Sequence, residues 1–387
     1  MSPLESFTLY ARKTKNGKKV WYYRTYEDGK RTSGRSTGET NKQAAQSYVL
    51  SLIKKGALHV RTNPTFEESS QDWWEWEKCK YLKRQLAKGK SVSRDYADTM
   101  RSYLKNHLLP YFGSMHLQSI KTATVDDWLI ELREKPGKDG GKLSAVTANN
   151  VLRCLKIMLA DAKRRDLIFQ DPTEGFGRIE VSPAKKGILT LPEIRELFLE
   201  DNINQVWERD PLHYTLNILS CATGMRMGEI QALQVGRVQP DYVQILQSWS
   251  RRYGLKPPKR NSMREIPVPG KVAQHLHELI DRFSDRDLKG FVFSLDGKTP
   301  VSNGAISDHF YRALNAIGIS EEMRRERRIS FHSHRYFFNS ALRNRVHDSK
   351  VRVLTGHRTE SMTDHYTVLS RHDLEDVRKI TEGFFTE

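Results

Sequence analysis

The strongest constraint on the fold is a break in patterning at residues 182–187, where Ser-Pro-Ala-Lys-Lys-Gly separates two long segments with helical spacing. Proline and glycine interrupt regular structure, and a clear helix start follows the break. Thr190 and Glu193 have the spacing of a capping box, with Pro192 in the first turn. Since 387 residues are too many for one average domain, the sequence predicts a domain boundary at about 181–187.

Residues 1–63 have a different pattern from the rest of the chain. Aromatic and β-branched runs at 7–11 and 20–26 are bordered by Asn-Gly and Asp-Gly, which are strong hairpin signals. A third strand is expected around 31–37, followed by a helix that stops at Gly56. The segment holds 13 Lys and Arg against 4 Asp and Glu, about half of the net charge of +17. Its basic, aromatic face suits DNA, and a solvated hairpin covering a larger domain is the alternative.

Residues 64–180 are predicted to be helical. The clearest helix runs from about 146 to 168, with apolar residues three and four apart. An earlier helix at 96–109 is expected to end before Pro110, because proline lacks the amide proton that an interior helical position donates. A basic stretch in this segment either contacts phosphates or forms a solvated face: Lys83, Arg84, Lys88 and Lys90.

Composition excludes several classes of protein. No apolar run approaches the roughly 20 residues of a membrane span, and the first ten residues lack the pattern of a secretory signal. Three widely separated cysteines, Cys79, Cys154 and Cys221, argue against a disulfide scaffold or a cysteine-rich zinc module, and they fit a reducing cytosol. The excess of Lys and Arg favours a polyanionic partner, either nucleic acid or an anionic membrane surface.

The segment Ala-Thr-Gly-Met-Arg at 222–226 places a cation at a helix start. Gly224 permits a sharp turn between two helices, and Arg226 then opens the second helix. A guanidinium there suits a phosphate, because its fork holds two oxygens at once. The alternative is an ion pair with Glu229, one helical turn later.

A hairpin is predicted from strands at 242–247 and 264–268. Its connection is basic and includes Lys256 and Lys259. Such a tip either brings a lysine next to a phosphate or is a solvated turn.

The segment Phe-His-Ser-His-Arg-Tyr begins at Phe331. His332 and Arg335 are three residues apart, so on a helix they share a face. They are alternatively ordinary surface or core residues. A metal pair of His332 with His334 is a further interpretation, disfavoured because no third ligand of suitable spacing is evident.

Further along, Thr-Gly-His ends at His357, and Tyr366 follows nine residues later. Neither residue would be notable alone. Behind them, apolar residues with helical spacing continue to Phe384 and Phe385. This C-terminal tail either docks on a partner subunit or folds back on its own domain.

Taken together, these segments resemble the tyrosine recombinases, also called phage-type integrases. That family is marked by Thr-Gly-x-Arg, a hairpin lysine, His-x-x-Arg, Gly-His and a tyrosine nine residues after that histidine. The resemblance extends over essentially the whole chain. Residues 112–117 resemble a stretch of the family's core-binding domain, and residues 189–198 resemble the usual start of its catalytic domain. It implies a multidomain, mainly α fold: an arm-binding domain of a three-stranded sheet plus helix (1–63), a helical core-binding domain (64–180) and a mixed, mostly α catalytic domain with a small sheet and a C-terminal tail (181–387).

The resemblance also implies catalytic residues and a mechanism. The residues that match the family's motifs are Arg226, Lys259, His332, Arg335, His357 and the nucleophile Tyr366. The position of the lysine relative to the following Ile-Pro favours Lys259 over Lys256. The implied reaction is DNA cleavage and rejoining through a 3′-phosphotyrosine bond, without metal, cofactor or ATP. A homotetramer on double-stranded DNA is implied, with exchange through a Holliday junction, no membrane association and a bacterial cytoplasmic location.

Two positions depart from the family's pattern, and other functions stay open. Asn344 lies where a glycine is usual, and Thr355 replaces the usual leucine before Gly-His. The alternatives are a Xer-type resolvase, a type IB topoisomerase, or a decayed integrase that binds DNA as a regulator. A directionality factor and a DNA-bending protein are possible additional partners.

Overall fold

A computed structural model describes residues 7–14, 17–27, 30–54, 64–137, 140–181, 187–282, 287–343, 345–356 and 375–385. The chain divides into two compact units, Met1–Ser182 and Pro183–Glu387. Buried apolar side chains form two separate clusters in the first unit and one large cluster in the second. Within the described ranges, no helix is long and apolar enough to cross a membrane.

The first unit begins with an antiparallel sheet and a helix. Its elements are β1 (Phe7–Lys13), β2 (Lys19–Glu27), β3 (Lys30–Arg31), β4 (Arg35–Ser36) and α1 (Lys42–Lys54). β1, β3 and β4 all pair with β2, so the predicted third strand consists of two short strands. Gly34 lies in the interruption, where a Cβ would overlap the hydroxyl of Tyr10.

The two faces of this sheet differ in chemistry, because side chains alternate along a strand. One face packs with α1 and carries the apolar cluster of Phe7, Leu9, Tyr23 and Val49. The opposite face is basic and aromatic. There, the guanidinium of Arg24 lies 4.4 Å from the ring centre of Tyr10, and that of Arg12 lies 5.5 Å from the ring centre of Tyr22.

The rest of the first unit is helical. Its helices are α2 (Phe66–Ser70), α3 (Lys80–Ala87), α4 (Arg94–Tyr103), α5 (Leu109–Phe112), α6 (Thr122–Glu134) and α7 (Ala145–Arg164). The prediction that a helix ends before Pro110 is wrong. A π-helical turn at Leu104–Leu108 joins α4 to α5, and Pro110 lies in the first turn of α5, where a missing amide proton breaks no helical hydrogen bond.

The second unit is mostly helical, with two small two-stranded sheets. Its elements are α8 (Leu191–Phe198), α9 (Ile203–Val206), α10 (Pro211–Thr223), α11 (Met227–Gln231), β5 (Tyr242–Ile245), β6 (Ser248–Ser250), β7 (Gly254–Lys256), β8 (Arg264–Pro267), α12 (Gly270–Asp281), α13 (Asn303–Ala316), α14 (Glu321–Glu326), α15 (Ser333–Arg343), α16 (Asp348–Thr355) and α17 (Glu375–Glu382). α10 is almost wholly buried and packs against α12 and α15. The capping box of Thr190 and Glu193 is present at the start of α8. The predicted fold class is confirmed.

The predicted hairpin is more elaborate than the sequence suggested. β5 and β8 pair with Ile245 opposite Arg264. Between them, β6 and β7 form a second hairpin that was not predicted, with Lys256 opposite Ser248. Lys259 follows in a single 3₁₀ turn, Lys259–Asn261.

The described part of the C-terminal tail packs on its own unit. Val377 in α17 is fully buried, and Phe384 and Phe385 join the apolar cluster of the second unit. The ring of Phe385 contacts Phe198 edge-on, and that of Phe384 contacts Phe337 in the same way. In the isolated chain, the tail therefore folds back on its own domain.

Candidate active site

Arg226 lies where the sequence places it, at the start of a helix. α10 ends at Gly224, whose φ of 62° is in the left-handed region that glycine favours. Arg226 is the residue that caps α11: its amide donates to Oε2 of Glu229 (2.9 Å), and its Nη1 donates to Oε1 (2.8 Å). The ion pair offered as the alternative interpretation is thus present. About a quarter of the Arg226 side chain remains exposed.

Arg335 is buried in the first turn of α15. Its guanidinium donates to two main-chain oxygens, those of Gly224 (2.6 Å from Nη1) and Thr355. Burial, with a smaller contribution from the positive charge of Arg226, lowers the pKa of Arg335 to about 9. Arg226 and Arg335 therefore lie close enough to influence each other, although they are far apart in sequence.

A third arginine, which the sequence analysis did not select, completes the cluster. Arg264 at the start of β8 donates from Nη2 to Oε2 of Glu229 (2.7 Å) and from Nη1 to Oε1 (3.3 Å). Burial alone would raise the pKa of Glu229, but the charges of Arg264 and Arg226 outweigh burial and lower it. Two guanidinium groups thus contact one carboxylate, and that of Arg335 lies close enough to influence them, so the cluster is positively charged. The signal for Arg264 was a charged residue on the inward side of a strand, two residues before buried Ile266.

The other described candidates lie at exposed positions. His332 is the residue directly before α15, in the turn that leads into the helix and Arg335. Its carbonyl accepts from the amide of Arg335 (3.1 Å), and its exposed ring contacts Tyr336 edge-on. Lys259 is also exposed, whereas Lys256 is half-buried in β7.

Two sequence patterns of known families match this chain. The pattern described as the phage integrase family matches residues 193–372, and the pattern described as phage integrase, N-terminal SAM-like domain, matches residues 65–133. Together they cover well over half of the chain. The chain belongs to the phage integrase family. The predicted enzyme class, a tyrosine site-specific recombinase, is confirmed at the level of this family.

Individual relatives agree with this family. A tyrosine recombinase XerC-like protein of Caldanaerobacter subterraneus subsp. tengcongensis is 24% identical, over 90% of this chain and 92% of the relative. A Tn1549 transposon integrase in complex with transposon right end DNA is 20% identical with a TM-score of 0.57, over 77% of this chain and 97% of the other. A lambda integrase tetramer bound to a Holliday junction is 16% identical with a TM-score of 0.53, and the match covers 92% of this chain and 93% of the lambda integrase chain. These two structures establish the fold.

Two predicted catalytic residues, His357 and Tyr366, lie outside the described ranges, and so does Asn344, which departs from the family's pattern. The metal pair of His332 and His334 is not formed. His334 is fully buried, and its ring lies against Phe310 (4.6 Å between centres) and Phe331 (5.3 Å), whereas the ring of His332 is exposed.

Another group of potential metal ligands lies elsewhere in the second unit, formed by Asp210, His213 and His309. Nδ1 of His213 and Nδ1 of His309 lie 2.6 Å and 3.3 Å from Oδ2 of Asp210. The two rings are stacked in parallel, 3.6 Å apart. Since the lone pair of an imidazole nitrogen lies in the ring plane, a shared ion between stacked rings would be out of both planes. The arrangement fits hydrogen bonds to Asp210, which also caps α10, better than a metal.

Proposed function

We propose that this chain is a site-specific integrase that cleaves and rejoins duplex DNA and so integrates or excises a mobile element. The observation that carries the proposal is the buried arginine cluster. Arg226 and Arg335 come from separate segments and meet beside a carboxylate that is already paired. Such a preorganised positive site suits the non-bridging oxygens of a phosphodiester, where charge increases in the transition state.

In the proposed reaction, the hydroxyl oxygen of Tyr366 attacks phosphorus and the 5′-oxygen leaves. His332 accepts the tyrosine proton, Lys259 protonates the leaving oxygen, and His357 donates a hydrogen bond to the phosphate. The 3′-phosphotyrosine bond conserves the energy of the broken ester, so a 5′-hydroxyl of another strand displaces Tyr366 without ATP. Arg226 and Arg335 supply the positive charge, and no metal ion or cofactor takes part.

The proposed partner is double-stranded DNA at two kinds of site. Residues 64–180 and 181–387 bind the core site, and residues 1–63 bind arm sites through the basic, aromatic face of the sheet. Four protomers assemble on two duplexes and exchange strands through a Holliday junction, as the lambda integrase tetramer is seen to bind one. A directionality factor and a DNA-bending protein assist. The protein acts in the bacterial cytoplasm, on the nucleoid.

Covalent trapping tests this proposal. The protein is incubated in EDTA with nicked duplexes taken from the DNA that flanks its own gene, and adducts that survive SDS are detected. We expect an adduct that is lost in Tyr366→Phe and that marks the crossover point. Absence of an adduct on a duplex that the protein binds would favour the decayed, DNA-binding alternative.

A Xer-type resolvase is the second candidate, because the XerC-like relative matches nearly the whole chain. A resolvase recombines two core sites without arm sites. Efficient recombination of core sites that lack any flanking DNA would support this candidate over the integrase.

A further inference from the structure

Arg264 is a buried charge, and each of its three guanidinium nitrogens donates to an acceptor. Only 4% of its side chain is exposed. Beyond its two bonds to Glu229, Nε donates to the main-chain oxygen of Leu354 (2.6 Å), and Nη1 lies 3.1 Å from that of Ser262. A guanidinium removed from water is costly unless it is paired in this way, so these contacts keep Arg264 in one orientation.

The two main partners of Arg264 belong to different parts of the site. Glu229 is the carboxylate that orients Arg226. Leu354 lies in the last turn of α16, where carbonyl groups lack partners within the helix and favour a cation. The next carbonyl, that of Thr355, accepts from Arg335. Two arginines from β8 and α15 thus hold the end of α16, directly before His357.

The end of α16 is also packed tightly against the hairpin. Gly356 ends the helix with a φ of 61°. A Cβ at Gly356 would lie 2.8 Å from Oγ of Ser262 and 3.5 Å from Nη1 of Arg264. The contact therefore requires both a left-handed residue and the absence of a side chain, so β8 and α16 have little freedom to shift.

We propose that Arg264 is a positioning residue for DNA cleavage. It ties β8 to α11 through Glu229 and to α16 through Leu354, and so sets the placement of Arg226 relative to the segment that carries His357. Arg264 itself does not contact the phosphate. The inference rests on the proposed function, which assigns Arg226 and His357 to the reaction.

Arg264→Lys tests the role, because lysine keeps the charge but cannot span a carboxylate and a carbonyl with a planar fork. The assay is single-turnover cleavage of the nicked core duplex at saturating protein, with the Kd for the same duplex measured separately. We expect the cleavage rate constant to fall about 100-fold, as for a misplaced catalytic group, while the Kd is unchanged.

A double-mutant cycle with Glu229→Gln distinguishes positioning from a general loss of structure. If Arg264 acts through Glu229, adding Arg264→Lys to Glu229→Gln slows cleavage far less than it slows the unchanged protein. Independent, multiplicative effects would overturn this route of action.

The matched control is Arg237→Lys, an exposed arginine that contacts Gln244 on β5. Arg237→Lys should cleave at the rate of the unchanged protein.

The positioning role would be overturned if Arg264→Lys cleaved at that same rate. It would also be overturned if the cleavage rate constant of Arg264→Lys fell only in proportion to a loss of DNA binding. Glu229→Asp serves as a second variant, and loss of folding in both would make the contact purely structural and equally overturn it. Failure of the unchanged protein to form an adduct would instead contradict the proposed function.

Discussion

At the scale of single residues, His334 is a titratable group in a wholly apolar place. Its ring is fully buried against Phe310 and Phe331, and neither ring nitrogen has a hydrogen-bond partner within the part of the chain that is described. Burial lowers the pKa of His334 to about 3. The folded protein therefore keeps this histidine neutral under conditions in which the unfolded chain protonates it.

This difference predicts a pH-dependent stability. In the unfolded chain, the side chain of His334 has an ordinary pKa of about 6.5 and binds a proton below that pH. The free energy of unfolding therefore decreases as pH falls through that value, by about 2 kcal/mol at pH 5. His334→Leu removes this loss. Urea unfolding at pH 7.5 and pH 5 should show a smaller pH effect in His334→Leu than in the unchanged protein.

The exposed neighbour provides the control for this prediction. His332→Gln should leave the difference between the two pH values as it is in the unchanged protein, because the ring of His332 is exposed. An equal pH effect in His334→Leu and the unchanged protein would show that the buried histidine does not control acid stability.

A residue whose surroundings form a local motif can be placed from the sequence. Arg226 follows a glycine turn and precedes a helix, so three adjacent residues indicate its place. Arg264 was missed because its partners, Glu229 and Leu354, are distant in sequence and meet it only after β5 and β8 have paired. A buried ion pair is a property of the folded chain and has no local sequence pattern.

At the scale of elements, local rules predicted some boundaries and missed others. The capping box that begins α8 follows from neighbouring side chains, and α7 was predicted with an error of a few residues. The π-helical turn before Pro110 and the inner hairpin of β6 and β7 were not predicted. Both depend on packing against other elements, which spacing along the chain does not encode.

The tail gives a prediction at this scale. Phe384 is 1% exposed and packs on Phe337, so truncating it removes a large buried ring. Phe384→Ala should lower the free energy of unfolding of the isolated protein by about 3 kcal/mol. Urea unfolding measures this change at a protein concentration where the chain is monomeric.

Asp376→Ala in α17 is the matched control, since its carboxylate is close to half exposed and such an ion pair with Lys350 contributes little to stability. If the tail docked on a neighbouring subunit in solution, Phe384→Ala would leave the monomer's stability unchanged and would weaken assembly on DNA instead.

At the scale of the whole molecule, positive charge is concentrated in residues 1–63, which carry about half of the net charge of +17. The basic, aromatic face of the sheet belongs to this segment, and its apolar cluster is separate from that of the helical part of the same unit. The segment therefore has its own core and its own charged face.

Deleting residues 1–63 should abolish recombination of sites that bear arm sequences and leave covalent cleavage of a core site intact. The reason is that arm binding holds a second site near the first by tethering, whereas the proposed cleavage of a core site uses residues 64–387 alone. Recombination assays on arm-bearing plasmids and trapping on core duplexes measure the two effects.

Substituting Arg12 and Arg24 together by alanine is the milder form of this test, because α1 and the apolar cluster stay in place. Equal recombination of arm-bearing sites with and without residues 1–63 would contradict an arm-binding role.

The anchoring of Arg335 also bears on mutational tolerance. Both of its acceptors are main-chain oxygens, those of Gly224 and Thr355. A carbonyl oxygen is present whatever the side chain, so the acceptor at 355 survives substitution as long as the backbone is kept. The threonine at 355 fits this arrangement, because its hydroxyl donates to the carbonyl of Val351, within its own helix. Gly224 lacks such latitude, since its left-handed backbone is strained for other residues and a Cβ would lie 2.5 Å from the ring of Phe338. Gly224 and Thr355 both accept a hydrogen bond from Arg335, but substitutions are tolerated far better at 355 than at 224.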